Sequence, residues 1–203
     1  MAQPIFYFDF GSPNAYLAHK VLPAIEQRTG ARFDYRPALL GGIFKATGNQ
    51  SPMLAFAGIP LKLAYEGKET ERFIARHGIT GFARNPHFPV NTLQIMRGAV
   101  AAETLGVFMP YVEAVYAAMW TRGLKMDDPT VIAAALAEAG LPAEELMALT
   151  ADDAVKATLI ANTNDAVARG VFGSPSFLVG EELFFGKDRL RDVEEEILAQ
   201  RAR

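Results

Sequence analysis

Strand signals stand only at the two ends of this 203-residue chain, and helix signals fill the space between. Ile5 to Asp9 is a short aromatic run that predicts a strand buried on both faces. Pro13 to Thr29 follows with Tyr16, Leu17, Val21, Leu22 and Ile25 at helical spacing, a Pro23 that predicts a kink, and Gly30 as the residue after the last turn. Arg32 to Arg36 alternates around Phe33 and Tyr35 and predicts a second strand. Strand, helix and strand in about thirty residues make a right-handed unit with parallel strands. At the other end, Ser176–Val179, the turn Gly180-Glu181 and Glu182–Phe185 read as a hairpin, and a last helix follows with Asp188 as its cap. Neither end can cover its own sheet. Closure predicts an α/β fold with one four-stranded mixed sheet, built from residues 1–40 and 151–203 and interrupted by an all-helical insertion over 41–150.

Within the insertion, Pro37 to Pro60 carries the turn signals Gly41-Gly42, Gly48-Asn49 and Ser51-Pro52. Leu61–Arg76 reads as a helix closed by Gly78. Gly81–Asn91 is polar and irregular, a loop length that usually serves a purpose. From Thr92 onward the pattern is helical, through Val107–Trp120, Val131–Ala139 and Leu141–Leu149. Thr150 with Asp153 resembles a capping box that opens a helix running to Arg169.

Composition excludes several classes of function. The chain has no cysteine, so structural disulfides and redox chemistry by its own thiols are out, and any thiol used must come from outside. His19, His77 and His87 form no metal-ligand spacing, so no metal site is expected. His77 and His87 read as surface or loop-packing residues. A net charge of −3 without a basic block disfavours nucleic acid. No apolar stretch reaches membrane-spanning length and Met1-Ala2-Gln3-Pro4 is not a signal peptide, so residence in the cytoplasm is expected.

Ser12 falls where the first strand meets the first helix, at the cap position, with Pro13 at the first helical position. That junction combines a hydroxyl with unpaired backbone N–H groups at the positive end of a helix dipole, so it can hold an anion, a thiolate included. A cap that does nothing else fits these residues equally well. The predicted sheet brings Ser12 near Ser174-Pro175.

Several marks occur together in a fixed order: Asp9-Phe10-Gly11-Ser12-Pro13, Gly48-Asn49 with Pro52, Lys62-x-x-Tyr65, Phe88-Pro89-x-Asn91-Thr92, Gly170 to Phe177, and Phe185-Gly186-Lys187-Asp188-Arg189. In this order the whole chain resembles the glutathione-dependent 2-hydroxychromene-2-carboxylate isomerases. These are relatives of kappa-class glutathione transferases and share a DsbA-like thioredoxin fold. The resemblance implies glutathione as cofactor, with Ser12 as the catalytic residue that favours its thiolate. It implies that Ser174-Pro175 is a cis-proline loop pairing with the cysteinyl main chain. Asp188, with Phe185, Gly186 and Lys187 beside it, would receive the γ-glutamyl end. Asn49 and Lys62 would complete the glutathione site. Lys45, Asn49, Arg84 and Asn85 would line the side facing a small aromatic carboxylate, and relatives imply a homodimer.

The implied reaction interconverts 2-hydroxychromene-2-carboxylate and trans-o-hydroxybenzylidenepyruvate by reversible thiol addition, which relieves the double bond that blocks rotation. A kappa-like glutathione transferase and a non-catalytic glutathione- or peptide-binding protein are the alternatives. Plain readings stand beside each role: Lys62 on a solvated face, Asp188 as a simple cap, Pro175 as the start of a strand, Asn49 as a turn residue. Phe6-Tyr7-Phe8 reads as core. Tyr65 and Trp120 fit either a substrate wall or core packing.

Overall fold

The two ends of the chain do meet in one sheet. The computed structural model describes residues 3–202; Met1 and Ala2 of the amino-terminal segment, and Arg203, lie outside it. The strands are β1 (Ile5–Phe8), β2 (Asp34–Pro37), β3 (Ser176–Val179) and β4 (Glu182–Phe185). They lie in the order β2-β1-β3-β4. β1 pairs parallel with β2 and antiparallel with β3, with Tyr7 opposite both Arg36 and Ser176. The mixed sheet follows from the chain order, because only the first two strands are joined by a crossover helix.

That crossover is α1 (Pro13–Thr29), which runs through Pro23 and ends on Gly30 in the left-handed region. Phe6, Phe8, Phe177 and Val179 point to the same side as α1 and α10 (Leu190–Arg201) and join the larger core. Tyr7, Leu178, Ile43 and Val171 form a smaller core on the opposite face. The period of two along β1 sorts these side chains.

The insertion holds α2 (Leu40–Thr47), α3 (Pro52–Ala55), α4 (Pro60–His77), α5 (Leu93–Thr104), α6 (Phe108–Trp120), α7 (Pro129–Glu138) and α8 (Ala143–Leu149). α9 (Asp153–Ala168) leads back to the sheet. α5 and α6 carry buried faces of Ile95, Met96, Tyr111, Val115 and Met119. Trp120 is core: its indole N–H donates to Phe10 O at 2.7 Å. Buried His19 of α1 ties the layers together, with Nδ1 3.0 Å from the Tyr35 hydroxyl and Nε2 2.9 Å from Glu113 of α6.

Three local expectations are corrected. Gly41-Gly42 is not a turn but the first turn of α2. Ile43 of that helix is buried, and Gly42 stands so near Thr163 of α9 that an added Cβ would lie 3.0 Å from its methyl. The cap of α9 is Asp152, whose carboxylate accepts from Ala154 and Val155 N–H, while the Thr150 hydroxyl donates to Met147 O. Asp188 does not cap the last helix. It lies in a 3-10 turn over Lys187–Arg189, and α10 opens after Arg189 without a side-chain cap.

Candidate active site

Ser12 sits at the N-cap of α1 in extended conformation, 5% exposed. Its Oγ accepts from Ala15 N–H at 3.2 Å and donates to Ser174 O at 2.8 Å. The second bond joins positions 162 residues apart in the chain. Pro13 has no N–H, and the Asn14 N–H finds no partner among the described residues. The mouth of α1 therefore keeps a free donor beside a hydroxyl.

The Ser174–Pro175 peptide is cis. Pro175 O accepts from Gly186 N–H at 3.0 Å, and Ser174 Oγ accepts from Asp9 N–H at 3.1 Å. Both contacts fasten the loop to its neighbours in the sheet. The Ser174 N–H has no partner among the described residues. A donor and an acceptor of one residue, Ser174, thus stand beside Ser12. An extended peptide pairs with such groups as an added strand would.

Asp9, to which the sequence assigns no separate role, organises this corner. It is 1% exposed, and its carboxylate accepts from Gly11 N–H and Leu40 N–H at 2.8 Å each. Thr92, just before α5, adds a side-chain hydrogen bond. Burial pushes the carboxyl upward in pKa, and these donors oppose it. One side chain so joins the Ser12 loop, the start of α2 and the start of α5. An aspartate ending a strand ahead of Gly-Ser-Pro was the available signal, but its partners are distant in sequence.

The other named residues are dispersed. The Asn49 amide donates to Phe172 O at 2.7 Å and accepts from Gln50 N–H, so it braces the segment leading to Ser174. The Phe172 and Phe185 rings meet there at a tilt of 45° with centroids 4.5 Å apart, both about two-fifths exposed. Lys187 is buried over the Phe73 ring, and its ammonium holds both Asp188 carboxylate oxygens at 2.9 Å. The Gly186 N–H is engaged by Pro175. Lys62 lies on α4, 4.4 Å from the Phe56 ring centre and 3.9 Å from Glu66. Exposed Lys45 closes α2. The Arg84 guanidinium reaches α4 at Gly67. Asn85 is buried with its amide committed: it donates to Met119 O and Leu124 O and accepts from His87 N–H. That geometry makes it a brace for its loop.

This architecture is that of a DsbA-like thioredoxin domain: the family model so described matches residues 5–198, and the chain belongs to that family. Among particular relatives, it is 29% identical over 201 residues to the 2-hydroxychromene-2-carboxylate isomerase of Sphingobium xenophagum, covering 95% of this chain and 96% of that protein. Human glutathione S-transferase kappa 1 is 28% identical over 203 residues, covering 91% and 85%. A solved 2-hydroxychromene-2-carboxylate isomerase superposes with a TM-score of 0.82 at 26% identity, covering 96% of this chain and 93% of that one. The chain is thus related to an enzyme group with isomerase and kappa transferase members, and these relationships support enzymatic activity in general.

Proposed function

We propose that this protein is a glutathione-dependent isomerase that interconverts 2-hydroxychromene-2-carboxylate and trans-o-hydroxybenzylidenepyruvate. The observation that carries the reading is the junction of the Ser12 hydroxyl, the Asn14 N–H and the Ser174 main chain at one helix mouth. The residues present fit glutathione. The free Ser174 N–H and the carbonyl beside it suit a cysteinyl main chain, and Asp188 suits an ammonium group. Bound there, glutathione would supply a thiol nucleophile that the chain itself, lacking cysteine, does not possess.

The protein's part is electrostatic and positional. Turning the Ser12 hydroxyl from Ser174 O toward a sulfur gives that sulfur a donor at the positive end of α1. The Asn14 N–H adds a second donor. Ser174 and Pro175 align the tripeptide; its γ-glutamyl end is assigned to Phe185, Gly186, Lys187 and Asp188 and the rest of it to Lys62, with Asn49 bracing the loop. Lys45 and Arg84 are the cations assigned to the substrate carboxylate, and arginine can clasp it at two points. Asn85 is given no contact with substrate, because its amide is already satisfied.

The test is ultraviolet monitoring of hydroxychromene carboxylate equilibration with and without glutathione. The proposal expects a glutathione-dependent rate with no loss of thiol. Stoichiometric thiol loss would favour a kappa-like transferase, the second reading that the 28% identity to the human enzyme supports. We also infer a cytoplasmic homodimer. The exposed apolar side chains Met53, Leu54, Ile59, Leu61 and Tyr65, gathered on α3, α4 and the turn between them, support a second copy as their cover.

A further inference from the structure

A second concavity opens on the sheet's α1 and α10 side, between the later turns of α1, the end of α4 and the start of α10. Its volume is about 190 Å³. Val21, Ile25, Phe73 and Leu190 make an apolar floor. The rim is cationic: Arg28, Arg76, Lys187 and Arg191 line it together with the carboxylates Asp188 and Glu194. Glu194 is held by Arg28 at 2.6 and 2.7 Å, and Asp188 by Lys187 at 2.9 Å. Arg191 is engaged by Glu195 at 2.8 Å. Arg76 has no carboxylate partner among the described residues.

The electrostatics agree with that imbalance. His77 lies on the rim with its ring 4.4 Å from the Phe73 ring. Burial lowers its pKa, and Arg76 and Arg28 lower it further. α10 opens into the same space, so the positive end of its dipole adds to the field.

Most of this cleft lies away from Ser12. Val21 to Arg28 stand roughly 13–24 Å along α1 from Ser12, at about 1.5 Å per residue. Three extended residues span only about 10 Å. Lys187 and Asp188, at its near end, are the only residues it shares with the proposed glutathione site.

We propose that this cleft is a second ligand site for a small carboxylic acid with an aryl body. The ring would lie on the Val21, Ile25, Phe73 and Leu190 floor, and the carboxylate would pair with Arg76 beside His77. The volume suits a single ring, since pockets for drug-sized ligands begin at about 300 Å³. An inorganic anion would use the rim alone.

Benzoate is the probe, and the His77 imidazole resonances, assigned by their loss in His77→Gln, are the readout. Millimolar benzoate is expected to shift them saturably and to raise the pH at which His77 titrates. Arg76→Gln should weaken benzoate about tenfold or more, by loss of a charge-assisted contact. Ser12→Ala should leave it unchanged. Absence of a saturable shift, or equal binding by Arg76→Gln, would overturn the site. Inorganic phosphate competing as well as benzoate would reduce it to a bare cationic rim and overturn the aryl assignment. Displacement of benzoate by saturating glutathione would merge the cleft with the tripeptide site and overturn its independence. The isomerase reading can fail without touching any of these outcomes.

Discussion

Ser12 and Asp9 lie three positions apart and answer to different physics. Ser12 acts through a hydroxyl that can change its acceptor. Ser12→Ala is expected to lower glutathione-dependent turnover by about 10²–10³-fold, the usual loss for one donor to a developing or held anion, with glutathione affinity nearly retained. Stopped assays and a calorimetric titration on the same variant separate the two. Asp9 acts through acceptors that must not change. In Asp9→Asn one oxygen becomes an NH₂ facing the Gly11 or Leu40 N–H, so a cost of about 1–3 kcal/mol is expected in urea unfolding. A neutral substitution would remove Asp9 from the account of the site. Glu113 gives a pH-dependent case. Its hydrogen bond to His19 is the largest cause, with Lys20 adding, of a fall in its carboxyl pKa from the ordinary 4.5 to about 2. The folded pKa is the lower one, so the contribution is complete above 4.5 and is lost as pH falls toward about 2. The stability advantage of the native chain over Glu113→Gln should shrink across that window, modestly because Glu113 is half-exposed. A constant difference would show that the pair contributes nothing.

Among the elements, the helices divide into those locked by shape and those merely laid on the surface. α5 and α6 are locked. Gly98 faces the Tyr111 phenol so closely that a Cβ would sit on it, and the Tyr111 hydroxyl donates to Ile95 O at 2.8 Å. Gly98→Ala is expected to cost about 1–3 kcal/mol, read as a lower denaturant midpoint. α4 is the opposite case, an 18-residue helix with Phe73 as its one buried side chain. Its periodicity was plain in the sequence because it needs little from elsewhere. α2 was not, since two adjacent glycines are poor helix formers. It forms because Asp9 satisfies the Leu40 N–H and Thr163 of α9 packs on Gly42, neither of which local propensity contains. The start of α10 is similar: Asp188 has the right chemistry for a cap, but the buried Lys187 ammonium claims it.

For the molecule as a whole, the exposed apolar side chains of α3 and α4 carry the proposed contact between two copies. Leu61, 84% exposed, is the sharpest probe. Leu61→Arg is expected to turn a dimer into monomers in sedimentation or light scattering while leaving circular dichroism unchanged. A monomeric native chain would withdraw the homodimer. By itself the sequence determined the sheet-at-both-ends plan, the long helices, the absence of a protein thiol and the capping serine, because these rest on periodicity, composition and neighbours a few residues away. Tertiary structure alone decided that Asp9 ties three segments, that Asn85 is spent inside its loop, that Asn49 braces Phe172, and that Arg76 and His77 gather with the distant Arg28. Each of these depends on which distant groups meet, and a hydrogen bond across more than a hundred residues leaves no periodic trace in the chain that forms it.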